Sequence, residues 1–193
     1  SADEAVRLAK EIGGPVVLKI QSPDVLHKTE AGGVQLNLVR AAAVRQAYEQ
    51  IIGNAQLYNP AALIEGVLVQ EMLPASAVEV IVGSSYDPDF GPVVVFGLGG
   101  ILVELFKDSA LRLAPVTEAE ARQMIAETRG AQLLHGFRGR PVADVDALAH
   151  AIVRVSHLAY DLRDAVAAVD VNPLMVLPAG QGVRAADALI VKR

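Results

Sequence analysis

The order of secondary-structure signals predicts an α+β fold with mixed or antiparallel sheets. Three observations carry this. A β-β-α unit follows an opening helix; two middle strands flank the turn Asp87-Pro88-Asp89-Phe90-Gly91, whose residue types make them antiparallel neighbours; and the chain closes on a long helix followed by a hairpin. Strands and helices do not alternate regularly enough for a doubly wound sheet, and neither glycine-rich loop follows the G-x-G-x-x-G plan with a helix behind it.

Ser1-Ala2-Asp3-Glu4 matches a capping box, and Val6, Leu8, Ala9 and Ile12 repeat at helical spacing up to Gly13-Gly14. Val16 to Ile20 reads as a buried strand, because β-branched residues dominate and Gly/Pro punctuation bounds it. Val34 to Val39 reads as its partner, with Val34, Leu36 and Leu38 on one face and Gln35 and Asn37 on the other. A helix over 41–57 follows, with Val44, Ala47, Tyr48, Ile51 and Ile52 on one side, broken by Asn59-Pro60. Strands are expected over 66–72, 78–86, 92–98 and 101–106. The capping box Thr117 to Glu120 starts a helix, a glycine-rich loop covers 136–141, and Asp144 to Tyr160 is a second long helix. Strands over 165–171, 174–177 and 183–191 complete the chain, the last two joined by the turn Pro178-Ala179-Gly180-Gln181-Gly182.

The 193 residues fit one domain or two small lobes, and 52% hydrophobic residues suffice for a sizeable core. With 17 basic against 22 acidic side chains and a net charge of −5, the chain lacks the footprint of a nucleic-acid binder, and no Trp is available for base stacking. The absence of Cys excludes disulfides and thiolate chemistry and fits a reducing compartment. An acidic start is unlike a signal peptide, and the apolar run around Pro92 to Leu102 is too short and glycine-rich for a bilayer, so no membrane association and a cytoplasmic location are expected.

Three constellations carry chemistry. Lys19 interrupts an apolar strand, so its ammonium either snorkels to water or meets an anion; the loop His27-Lys28-Thr29-Glu30-Ala31-Gly32-Gly33 after it has a glycine pair whose amides can converge on phosphate, or is an ordinary turn. Asp170-Val171-Asn172-Pro173 places two oxygen-bearing side chains on one strand face, with Asp187 opposite across a hairpin. Such oxygens suit Mg²⁺, while Asn-Pro also suits a turn. Val69-Gln70-Glu71-Met72-Leu73-Pro74, with Glu79 beyond, offers main-chain groups to an adenine edge; taken alone, it reads as a strand running into a loop.

Taken in order, Lys19, the 27–34 loop, Val69 to Met72, the run Phe90 to Val93 and on to Gly97-Leu98-Gly99-Gly100, and Asp170-Val171-Asn172-Pro173-Leu174 closely resemble the ATP-grasp domain of ADP-forming acyl-CoA synthetases (acetate–CoA ligase, ADP-forming). More distantly the chain is similar to the nucleotide-binding β subunit of succinyl-CoA synthetase. The resemblance implies an ATP-grasp fold of two lobes, residues 1–73 and 74–193, the second carrying the Mg-nucleotide site. The first would be incomplete at its N-terminus, because the family has a further helix and strand before the opening helix; the sequence is then a piece of a longer protein.

On that resemblance, ATP or ADP and Mg²⁺ are the cofactors. Lys19 matches the lysine on the phosphates, Gly32 and Gly33 the loop over them, Glu71 and Met72 the adenine hinge, and Glu79 the ribose partner. Gly99, Gly100 and Glu104 fall where a second glycine loop meets the transferring phosphate, which Arg112 would steady. Asn172 and Asp187 match the magnesium ligands, with Asp170 beside them. His27 matches a second phosphate carrier, although a solvated loop histidine is the plainer reading of the residue itself. His150 and His157 read as structural.

The implied reaction is acid + CoA + ATP ⇌ acyl-CoA + ADP + phosphate, through a phosphohistidine. Partners are CoA-binding and ligase domains of the same protein or a separate α subunit bearing that histidine, and the exposed edge of a shortened lobe allows a homo-oligomer. A rival reading is a regulatory domain of an acetyltransferase fusion that binds nucleotide without turnover. The acid used and ATP versus GTP are not legible.

Overall fold

The computed structural model describes residues 1–99, 108–136 and 139–193. The chain divides into two compact units, Ser1–Leu73 and Pro74–Arg193. The strand expected over 101–106 lies outside the described residues, as do Gly100 and Glu104.

In the first unit, helix α1 (Ala2–Ile12) is capped by the Ser1 hydroxyl, which accepts from the Glu4 amide at 3.3 Å. It stops at Gly13, whose φ of 75° is the left-handed conformation that a residue without Cβ adopts freely. Strands β1 (Val16–Gln21), β2 (Val34–Leu38) and β3 (Gly66–Glu71) form an antiparallel sheet in the order β2-β1-β3, and helix α2 (Ala41–Tyr58) precedes β3. Val16, Leu18 and Ile20 of β1 pack with Val44, Ala47, Ile51 and Ala55 of α2 and with Ala5 of α1. Each large side chain buried this way stabilises the unit by about 1.5–3 kcal/mol relative to exposure.

The simple alternation expected for β2 is corrected. Val16 pairs with Leu38 but Leu18 pairs with Gln35, so the register shifts between them, and Asn37 has a φ of 57°. The extra residue is a bulge that reverses the faces. Val34 therefore shares the face of Lys19, its ladder partner, and Leu36 is left 54% exposed.

In the second unit, β4 (Val78–Asp87), β5 (Gly91–Leu98), β6 (Ser109–Leu113), β7 (Val166–Val176) and β8 (Val183–Ala185) form one sheet in the order β6-β5-β4-β7-β8, and β9 (Ala188–Lys192) also pairs with β7. The Asp87 carboxylate accepts from the amides of Asp89 and Phe90 at 2.9 and 3.0 Å, which closes the expected turn between β4 and β5. Helices α3 (Glu118–Glu127), α4 (Ala131–Leu134) and α5 (Val145–Asp161) accompany the sheet. Met124, Ile125, Leu134, Leu148 and Ile152 bury one sheet face that supplies Val78, Val80, Val82, Val94, Phe96 and Leu174. α3 carries the full capping box of Thr117 and Glu120.

β6 was not expected, because Ser109-Ala110-Leu111-Arg112-Leu113 contains no β-branched residue and makes an edge strand on pairing rather than propensity. β7 runs unbroken through Asn172-Pro173, where two strands or a turn were expected. A register shift against β4 between Val80 and Val82 lets Asn172 and Pro173 stand opposite one residue, so Pro173, which has no N–H, interrupts no ladder bond. The strand expected over 183–191 is instead β8 and β9, separated by Ala186 and Asp187.

Candidate nucleotide and cation site

Opposing residues of an antiparallel ladder share a face, so the helix-covered core assigns the other side chains by elimination. In β7, Val169 is buried and Val171 packs on the core, which puts Asp170 and Asn172 together on the opposite, open face. The Asn172 amide donates to the Asp187 carbonyl at 3.1 Å, continuing the β7–β9 register, and one Asp187 carboxylate oxygen accepts from the Ala188 amide at 3.0 Å. The expected trio is thus brought together by the backbone.

Asp170 is open to solvent by area, yet desolvation at the sheet raises its carboxyl above the ordinary value, and the Asp187 charge adds to the shift. Its ladder partner on β4 is Gly83, where a Cβ would stand 3.0 Å from the Val169 carbonyl oxygen and 3.3 Å from Val95 Cγ1. Sequence reading missed Gly83; a glycine inside a strand that otherwise reads as β-branched was the available signal. Two mutually repelling carboxylates, one amide side chain and a bare strand beside them form a donor set that fits a hard divalent cation. Among the described residues no group of three or more His, Asp or Glu side chains is poised to hold a metal. A cation here would draw its remaining oxygens from phosphate and water, as Mg²⁺ commonly does.

Glu79 lies on the same open face, between Val78 and Val80 of the core. Gly99 is fitted against it: its amide donates to the Glu79 carbonyl at 2.9 Å, and a Cβ there would meet Glu79 main-chain atoms at 3.0–3.1 Å. The Gly99 amide is thus committed to the Glu79 carbonyl.

Arg112, expected near the transferring phosphate, lies on the other sheet face. It pairs with Val94 and follows buried Ala110 by two residues, which places it on the helix-covered face, away from Asp170 and Asn172. There its guanidinium is ion-paired with Glu127 of α3 and donates to the Leu111 carbonyl at 2.8 Å.

In the first unit Lys19 sits on the central strand, only 9% exposed, with Val34 and Leu68 as ladder partners and on the face away from the helices. The loop after it is held at both ends by buried Val25 and Ala31 and by Asp24, whose carboxylate accepts from the Leu63 amide at 2.7 Å. His27 is exposed. The nest expected from the glycine pair is not formed in this conformation. The amides of Ala31, Gly32 and Gly33 donate to the carbonyls of His27, Thr29 and Lys28 at 3.1, 3.0 and 2.7 Å, so the turn consumes its own donors. The Met72 amide is likewise committed to the Pro15 carbonyl at 2.9 Å and is not offered to a base edge; Glu71, at the end of β3, is exposed. His150 is paired with Glu118 across α5 and α3 at 2.5 Å, a structural contact. No helix among the described residues is long and apolar enough to cross a membrane.

Comparison with known proteins bears on the whole chain. Residues 1–191 match the family described as ATP-grasp domain. The chain is 46% identical over 187 residues to a 4-hydroxybutyrate–CoA ligase [ADP-forming] of Nitrosopumilus maritimus, matching 97% of this chain but 26% of that protein. It is 43% identical over 189 residues to the acetate–CoA ligase [ADP-forming] II subunit beta of Pyrococcus furiosus, covering 98% of this chain and 80% of that subunit. Its fold matches a dinucleotide forming acetyl-coenzyme A synthetase 1 of Ca. Korarchaeum cryptofilum, solved with coenzyme A, Ca-AMPCP and HgCl⁺, with a TM-score of 0.93, 46% identity, all of this chain and 82% of that one. The chain thus spans about a quarter of one relative and most of a relative that is a β subunit. With residues 1–191 matching the family and the β-subunit relative covered over most of its length, the chain belongs to the ATP-grasp family, among the ATP-grasp domains of ADP-forming acyl-CoA ligases.

Proposed function

We propose that this chain is the nucleotide-binding, phosphoryl-transfer part of an ADP-forming acyl-CoA ligase, working with CoA-binding and ligase domains or with an α subunit that bears the phosphohistidine. The observation that supports it is the oxygen set of Asp170, Asn172 and Asp187 on the open sheet face beside Gly83. Asp170, whose carboxyl is held up by desolvation and by Asp187, gains most from a neighbouring cation. Mg²⁺, when bound, neutralises phosphate charge as the phosphoryl group moves.

The chain's own residues do the rest. Lys19 sets a positive charge against the nucleotide phosphates, and Glu79, fixed by Gly99, takes the ribose hydroxyls. Glu71 and Met72 border the base, and Gly100 and Glu104, proposed to meet the transferring phosphate, lie outside the described residues. In the ADP-to-ATP direction the N–P bond of phosphohistidine breaks, a P–O bond forms to the terminal oxygen of ADP, and the imidazole keeps the nitrogen lone pair. With His27 on the first unit's loop as a second carrier, its neutral ring nitrogen takes the phosphoryl group as the phosphohistidine N–P bond breaks, and the resulting His27 N–P bond breaks in turn as the P–O bond to ADP forms.

Calorimetric titration with ADP, with and without Mg²⁺, tests this reading. Binding is expected to strengthen with Mg²⁺, and Asp187→Ala is expected to weaken the Mg²⁺-dependent part by at least the about 100-fold that loss of an outer-shell partner reaches. Equal binding with and without the metal, or an unaffected Asp187→Ala variant, would refute the assignment of the oxygen set.

A further inference from the structure

Asn54 lies inside α2, four residues before its end, where an asparagine neither caps the helix nor favours it. The remainder of that helix face is the buried row Val44, Ala47, Ile51 and Ala55, so a half-buried polar side chain within it conflicts with the local pattern. The conflict has a partner. The Asn54 side-chain amide donates to the Gly32 carbonyl at 2.9 Å, and a Cβ on Gly32, which has a φ of 62°, would stand 2.6 Å from that same Nδ2. Gly32 and Asn54 are thus shaped to each other. Gly33 is fitted as closely, since a Cβ there would lie 2.5 Å from Ile20 Cγ2.

We propose that Asn54 is a positioning residue that latches the His27–Gly33 loop onto α2 and so sets where the His27 ring is presented. Its consequence for catalysis rests on the reading of His27 as a phosphate carrier. The turn's own amides join residues 27–33 to one another, and the Gly33 carbonyl accepts from the Ile20 amide at 2.8 Å, at the loop's foot on β1. The Asn54 bond ties the turn to the helix instead. Removing that donor takes away the turn's side-chain hydrogen bond to α2 while leaving buried Ala31 and the foot on the strand in place.

The test uses the full-length protein with Asn54→Ala and the near-isosteric Asn54→Asp, which keeps the volume but not the donor. Hydrogen exchange over residues 27–33 is expected to speed about tenfold in both, while β1 and β3 exchange as before. Phosphoryl transfer is expected to lose about tenfold in kcat with little change in KM for nucleotide, because Lys19, Glu79 and the oxygen set are untouched. Unchanged loop exchange in either folded variant overturns the latch, and so does faster exchange spread evenly over the first unit. His27→Ala separates the two readings. If it leaves transfer intact, the carrier role fails and the exchange result alone decides the latch. If it abolishes transfer while the Asn54 variants keep full kcat, Asn54 does not position His27.

Discussion

Both units put glycines beside residues proposed to handle phosphate, but the glycines do opposite things. In the first, Gly32 and Gly33 let a turn close on itself, its amides spent on the carbonyls of residues 27–29. In the second, Gly83 and Gly99 lie against extended backbone, and the polar groups near them are side-chain oxygens carried by paired strands. A glycine pair in a sequence therefore does not by itself make an anion nest. What matters is whether the amides it frees have already found carbonyls.

The contrast is sharpened first by Gly33→Ala. Its Cβ would collide with Ile20 Cγ2 in the core and lie 3.1 Å from the Lys28 oxygen, so a loss of about 1–3 kcal/mol is expected from overpacking. Urea unfolding reads it. Gly83→Ala, with no contact under 3.0 Å, is expected to cost less stability and to act on nucleotide affinity instead. Tolerance of Gly33→Ala together with collapse of Gly83→Ala would reverse the comparison.

A smaller effect is expected at Asp144, which links α5 to the turn after β7. Its carboxylate accepts from the Ala147 amide at 3.1 Å, capping α5, and from the Gly182 amide at 2.9 Å, fixing the turn between β7 and β8. Asp144→Ala should cost about 0.5–2 kcal/mol as a lost cap. The amide of Gly182 first, then that of Ala147, hold the carboxyl below its ordinary 3.8. The charged form's contribution is therefore complete above that value and is lost as the pH falls through the lower folded value. The Tm gap between wild type and Asp144→Asn should be present at neutral pH and close on that acid limb. A gap that stays constant to pH 2 would show that the charge is irrelevant.

The smallest effect is expected from Arg112→Ala: the partly exposed ion pair with Glu127 is worth about 1 kcal/mol or less, and phosphoryl transfer should be unchanged. A large loss of transfer with normal stability would return Arg112 to the chemistry.

Much of this protein was determined by its sequence alone. Strands rich in Val and Ile, the Ser1 and Thr117 caps and the Asp87 turn are local signals, each decided by neighbours within a few residues, and β1, β4, β5, α1, α3 and the β4–β5 turn that they predict are present among the described residues. The facing of Asp170, Asn172 and Asp187 was also legible, because period-two alternation and a short hairpin are enough to set it. Tertiary pairing decided the rest. The bulge at Asn37 turned Val34 toward the face of Lys19, and only the β5–β6 register shows Arg112 behind the sheet with Glu127. Asn54 and Gly32 meet across 22 residues of chain. Faces, spent donors and long-range fits depend on which strand or helix lies alongside, and no local pattern of residue types carries that information.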